Sequence, residues 1–187
     1  SPRLIVAGNP ELDPQFTNSF EFNYTRKFER KGSLSAGVFF RRTVDEINQI
    51  FTELDNEPGS LFLTFQNSGD ADMYGLEFSS NYKFTKWWST NSGFEIYEQT
   101  FSGLVGAEFT EIDNTAFTFR TSHNFKATEA LSFSAFGFYR SKMKSLQYDI
   151  DHMYFINLGA RYSFLEDNRA TVSLNFNDVF DTQEFNI

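Results

Sequence analysis

The 187-residue sequence holds two histidines and no cysteine, so the side chains able to do metal or acid–base chemistry are few. One cluster is "YDIDH" (148–152), where Asp149, Asp151 and His152 sit close enough in sequence to hold a metal ion. Another is "SGDAD" (68–72), whose Asp70 and Asp72 offer hard oxygen ligands suited to calcium. Both stretches read as exposed loops, where acidic residues are ordinarily just solvated, so no metal site is expected. His123 shares the apolar parity of its segment with Phe125 beside a short turn, and reads as an interfacial residue rather than a base. With no thiol and no persuasive Ser–His pairing, nucleophilic catalysis has no candidate. The chain is expected to be neither an enzyme nor a cofactor binder.

The elements that must position these residues are strands. Phe20, Phe22, Tyr24 and Phe28 share one parity, broken only by Arg26, while Ser19, Glu21, Asn23, Thr25 and Lys27 share the other. Alternation over ten residues specifies a half-buried strand and has no helical reading. The scheme recurs at 33–41, 76–84, 94–99, 117–125, 131–140, 156–164 and 171–177. Tyr97, Phe136 and Phe138 are exceptions on the polar parity. Eight strands and no credible helix make an all-β chain. No apolar run approaches the 18 or so residues that a membrane helix needs.

The connections alternate in length. "ERKG", "TKW", "ATEA" and "LEDN" are short, whereas 50–72, 102–113 and 142–152 are expected to be long loops. Short turns on one edge and long loops on the other are the pattern of an up-and-down transmembrane β-barrel. Large aromatics flank the short turns: Phe28, then Phe84 with Trp87 and Trp88, then Phe125, then Phe164. Rings gathered at one level are what a lipid–water interface selects. Residues 17–28 would extend about 40 Å, or about 28 Å when tilted near 45°, close to the hydrocarbon thickness. Before that strand, Pro10 and Pro14 stiffen "GNPELDP" and bias the residues before them toward extended conformations.

Lipid is expected to face Phe20, Phe22, Tyr24, Phe78, Tyr82, Phe117, Phe119, Leu158 and Val172. The lumen is expected to face Glu21, Asn23, Glu77, Asn81, Glu95, Arg120, Asn157, Arg161 and Asn175. Aromatics reach 19 % although hydrophobic residues are only 40 %, which suits strands that offer alternate residues to lipid. A net charge of -9 argues against a nucleic-acid partner. A soluble eight-stranded carrier of lipocalin type, with the apolar parity turned inward, is the main alternative fold. The level aromatics, uneven loops and charged polar faces argue against it. The opening "SPRLIVAGNP" lacks the marks of a signal peptide, and the chain is expected to be a piece of something longer.

Several stretches resemble the barrel of TonB-dependent outer-membrane receptors, and within them the outer membrane protein beta-barrel family. They are "GNPELDPQFTNSFEFNYTRKF", "GSLSAGVFFRRTVDEI", "NSGDADMYGLEFSSNYKFTKWWSTNSGFEIYEQ", "LSFSAFGFYRS" and "MYFINLGARYSFLEDNRATVSLNFNDVFDTQEF". The resemblance covers nearly all 187 residues, and "GLE…NYKFTKWWS" with "NDVFDT..F" is its most specific part.

The resemblance implies about eight strands of a 22-stranded barrel, the C-terminal portion, lying in the outer membrane of a Gram-negative bacterium. A plug domain and the final strand would lie outside the chain, and "NDVFDT" would be the penultimate strand rising. It implies import of a scarce small-molecule, peptide or glycan ligand, with membrane lipid, TonB and a surface lipoprotein as partners. A surface-binding or secretion-associated role for the same barrel is the second reading. Candidate ligand contacts near the extracellular rim are Tyr97, Glu98, Gln99, Tyr148 and Asp149.

Overall fold

The computed structural model describes residues 3–53, 59–105, 108–145, 147, 149–165 and 169–183. Among these residues the strands are β1 (Leu4–Val6), β2 (Phe16–Phe28), β3 (Gly32–Glu53), β4 (Leu61–Lys83), β5 (Trp88–Val105) and β6 (Glu108–Lys126). They continue with β7 (Leu131–Arg140), β8 (Met143–Lys144), β9 (Asp149–Ile150), β10 (Met153–Phe164) and β11 (Ala170–Phe176). The eight long strands form one antiparallel meander in the order β11-β10-β7-β6-β5-β4-β3-β2. Among the described residues β2 and β11 do not pair with each other, so the small closed barrel of a lipocalin is not formed.

"LEDN" lies mostly outside the described residues, and the short turns at "ERKG", "TKW" and "ATEA" fall where the sequence places them. The long loops do not. β3 and β4 stay paired from Gly32↔Tyr82 to Glu53↔Leu61, and β5 and β6 from Trp88↔Phe125 to Val105↔Glu108. The expected loops at 50–72 and 102–113 are thus mostly strand, because an extended ladder satisfies backbone groups that a loop would leave to water. "SGDAD", read as a loop, is a bulge within β4. Asp45 opposite it has φ 54, and a Cβ added to Gly69 would lie 2.5 Å from Gly103 Cα. The segment 142–152 does connect β7 to β10, but it contains the small hairpin β8–β9.

β4 outruns β5, whose pairing begins only at Gly69↔Gly103. The edge left along its first residues is covered by β1, which pairs in parallel from Leu4↔Leu61 to Val6↔Leu63. Asn9 Nδ2 then donates to the Phe65 carbonyl at 3.0 Å, and the Asp13 N–H to Asn67 Oδ1 at 2.9 Å. The stiff elbow at 8–14 is thereby tied along a strand edge that would otherwise invite pairing.

At the other end, "NDVFDT" departs from expectation. The β10–β11 ladder stops at Leu158↔Phe176, and 177–183 folds into a turn around Asp178 instead of continuing as strand. The Asp178 carboxylate accepts the N–H groups of Thr182 at 3.0 Å and Gln183 at 2.7 Å. An Asp that caps its own downstream backbone favours a turn over a strand.

Below the β3–β4 bulge, cross-strand register keeps the two parities on opposite faces. One row reads Tyr24, Ala36, Phe78, Phe94, Phe119, Tyr139, Tyr154, and the next row on the other face reads Asn23, Gly37, Glu77, Glu95, Thr118, Arg140, Met153. All nine residues expected toward lipid share the first face and all nine expected toward the lumen share the second. These are called outward and inward below. Most of the buried side chains gather away from the short turns: Phe39, Ala71, Phe101 and Ala116 lie on the inward face, with Asn114 among them, whereas Thr90 is buried beside the short-turn rings.

Candidate functional site

The inward face carries two hollows, one above the other. The lower recess, about 190 Å³, is lined by Asn23, Glu77, Glu95, Thr118 and Arg120, with Gly37 and Gly93 in its floor. Above it the Phe39 ring lies over Gly75, where a Cβ would come within 2.6 Å of Phe39 Cζ. The Arg41 guanidinium sits 4.6 Å from that ring and donates to Glu21 at 3.1 Å.

The upper hollow, about 180 Å³, lies between the inward face of β3–β6 and the 141–152 segment, and is lined by Asn48, Gln99, Phe101, Asn114, Met143 and Ile150. That segment crosses the sheet as a strap. The Lys144 N–H donates to Asn114 Oδ1 on β6 at 3.0 Å, and the Tyr97 hydroxyl on β5 contacts Met143 Sδ at 3.9 Å. Gln147 reaches β3, accepting the Phe51 N–H at 2.8 Å and donating to the Phe51 carbonyl at 3.1 Å.

Of the residues named as ligand contacts, Tyr97 and Gln99 face inward beneath the strap. Glu98 does not join them: it lies between them in one strand, so the pleat turns it outward opposite Tyr74. Asp149 faces Lys142 Nζ at 3.1 Å, and Asp151 the same ammonium at 3.6 Å. The hydrogen bond that the ammonium donates to Asp149 foremost, with Asp151 adding to it, holds the Lys142 pKa above its ordinary value. Tyr148 lies outside the described residues.

The metal candidates are occupied otherwise. Arg42 bridges Asp70 at 3.5 Å and Asp72 at 3.7 Å, and His152 stacks between Tyr139 and Tyr154 at 6.4 and 6.0 Å. No group of three metal-binding side chains occurs among the described residues.

Asn48, Phe101 and Asn114 were not picked out by sequence: they lie between the stretches of clear alternation (33–41, 94–99 and 117–125) and the expected loops at 50–72 and 102–113. Glycine on the polar parity of a strand was a usable signal for the lower recess, since glycine inside a strand often marks a close approach.

The outward face has the geometry of a bilayer wall. At the short-turn edge the rings form a chain: Phe28–Tyr82 at 5.8 Å, Tyr82–Phe84 at 5.2 Å, Phe84–Trp88 at 4.4 Å and Trp88–Phe125 at 5.9 Å. Trp87 stacks on Trp88, and Tyr162–Phe164 continues the level further along. His123 stands within this belt, accepting the Trp88 indole N–H on Nδ1 at 3.2 Å.

Up the strands, the continuous apolar outward face stops at the row of Phe40, Tyr74 and Glu98, and apolar outward residues return near the hairpin tip, at Leu104 and Phe109. The next row, Arg42, Asp72, Thr100 and Asp113, is wholly polar. From Phe84 to Tyr74 is ten residues, about 34 Å extended and about 25 Å along the normal of a tilted wall, the height of an outer-membrane apolar band.

Searches of curated proteins and of solved structures each returned no match. The family model described as "Outer membrane protein beta-barrel family" matches residues 1–187. An aromatic belt, an apolar band of bilayer height and a polar inner wall are what such a barrel requires, and the match spans every strand that builds them: the chain belongs to the outer membrane protein beta-barrel family.

Proposed function

We propose that the protein is a TonB-dependent receptor of a Gram-negative outer membrane, whose multi-pass barrel captures an extracellular solute and imports it on energy relayed by TonB. The observation that carries this reading is the inner wall. Its polar parity is hollowed at two heights, and the upper hollow lies under a strap at the end where the hairpins are tall. A wall serving only to close a barrel has no use for such hollows. On this reading the short turns face the periplasm, the tall hairpins face outward from the cell, and a plug domain outside this chain gates the lumen and meets TonB. The barrel does no chemistry of its own.

Cells carrying the full-length protein should deplete from the medium a small solute that cells without it leave behind, as read by mass spectrometry. A protonophore should abolish that depletion. Depletion that survives the protonophore would make the barrel a passive pore, and depletion of nothing would end the transport reading.

A further inference from the structure

Arg26 is the one break in the apolar parity of β2, a charge on the face turned to lipid. The register sets it in the outward row of Leu34, Ser80 and Ser92, between Tyr24 and Phe28. That row stands about 7 Å above Phe28 along the strand, so the charge is tolerated in lipid only if its head reaches the interface. The side chain does lean that way. Its guanidinium carbon lies 5.2 Å from the centre of the Phe28 ring, two residues nearer the turn.

The turns along this border are basic as well. The β2–β3 turn holds Arg30 and Lys31 against one acid, Glu29, and the β4–β5 turn holds Lys86 between Phe84 and Trp87 with no acid. Arg26, Arg30, Lys31 and Lys86 are all exposed. Among the described residues no carboxylate pairs with any of them, the ion pairs being those of Arg41, Arg42 and Lys142. The other border of the apolar band has the opposite sign. Above the Tyr74–Glu98 row the outward residues include Asp70, Asp72, Glu111 and Asp113, and the one guanidinium beside them, Arg42, is bound to Asp70 and Asp72.

We infer that the short-turn border of the outward face binds the headgroup of an anionic phospholipid, its phosphate on Arg26 and the Arg30–Lys31 turn and its acyl chains along Tyr24 and Phe22. A guanidinium offers phosphate a two-pronged donor, and the neighbouring cations add attraction for a leaflet of net negative charge. Lys86 carries the same attraction along the aromatic belt. Other occupants fit less well. A zwitterionic headgroup brings its own ammonium to a border that is already cationic. A soluble acidic protein would have to displace lipid to reach Arg26, which stands within the apolar band. The lumen is on the other face, so a plug domain cannot reach Arg26 either. On the receptor reading the leaflet concerned is the periplasmic one, but the binding does not depend on import.

The test is photolabelling of the full-length protein in phosphatidylcholine vesicles that hold a small share of a lipid carrying a diazirine beside its glycerol. Mass spectrometry of the peptides reads where the label lands. Tagged phosphatidylglycerol should label 24–31 and 82–88 about fivefold more than tagged phosphatidylcholine, and 98–104 no more. Concentrated salt should shrink both excesses. Arg26→Gln should remove the excess at 24–31 and keep that at 82–88, and Lys86→Gln should do the converse. Both alter exposed side chains, and the strand signal in circular dichroism reports that each variant has folded. Arg42→Gln, at the other border, should change neither excess. Equal labelling by the two lipids would overturn the inference, and is the result expected if a carboxylate of an adjoining strand or an acidic protein holds Arg26. An excess at 24–31 that survives Arg26→Gln, or that Arg42→Gln removes as well, would overturn it too. Failure of energised solute depletion would leave this site standing, and loss of the lipid preference would leave the receptor reading standing.

Discussion

β3 to β6 are long continuous pairings, bulged between β3 and β4 at 43–47, yet their two ends obey different rules. Below the Tyr74–Glu98 row the outward residues are Phe78, Phe94, Phe119 and their neighbours, and from the row of Gly37, Glu77, Glu95 and Thr118 downward the inward residues are polar or glycine, with Phe39 and Ala116 buried at the boundary. Above it, Arg42, Asp72, Thr100 and Asp113 face outward, while Phe101 and Ala71 are buried on the inward side. The backbone is satisfied in the same way at both ends. What changes is the solvent. Hydrocarbon on one side forces strict apolar-out alternation, whereas water on both sides releases it and lets a small core form under the strap. The lower half is held by its surroundings and the upper half by its own contacts.

The sharpest way to break this comparison is to place one charge at each level of the outward face. Phe94→Arg, in the middle of the band, should destabilise the protein by about 2–4 kcal/mol, and Thr100→Arg, above it, by about 0–1 kcal/mol. Denaturant titration in phospholipid vesicles measures both. Equal costs would show that the Tyr74–Glu98 row is no boundary and that the band is misplaced.

The same boundary explains what could be read from sequence. Within the band, Glu21 against Phe22 or Glu77 against Phe78 declares both strand and face, because lipid tolerates little else. Above the band that constraint disappears, and the signal goes with it. "SGDAD" carries glycine and acids, as a loop would, yet it is a bulge whose Asp70 and Asp72 are taken by Arg42. The rim candidates Tyr97, Glu98 and Gln99 were adjacent in sequence, and the pleat divides them between faces. "NDVFDT" alternates poorly, and capping by Asp178 prevails over extension. The strap was beyond reach for another reason. Its ties join Gln147 to Phe51, residues 96 positions apart, and no local pattern encodes such a contact.

Those ties give a smaller test, confined to the upper half. Gln147→Ala removes two side-chain hydrogen bonds to the Phe51 backbone, a loss of about 1–2 kcal/mol felt locally. Amide exchange in 143–150 should quicken about tenfold, while the Phe78–Phe94–Phe119 rows stay as protected as before. Quickening in the band as well would mean that the two halves open as one unit, and the comparison would fail.

The smallest expected effect lies at the base of the strap. Asp149, and less strongly Asp151, raise the Lys142 pKa. A cation whose folded value is raised stabilises the fold fully below its unfolded value, about 10.4 for lysine, and loses that contribution as pH climbs through the folded value. The tie is therefore complete at neutral pH and fails only in strong alkali. The ammonium is exposed, so its part in overall stability is slight. A ¹³Cε titration of Lys142 should show a midpoint above the ordinary lysine value. Asp149→Asn should bring it down, and Asp151→Asn should bring it down by less. If Asp149→Asn leaves the midpoint in place, the β8–β9 hairpin is not stapled through this pair, and the strap depends on Gln147 and Lys144 for its hold on the sheet.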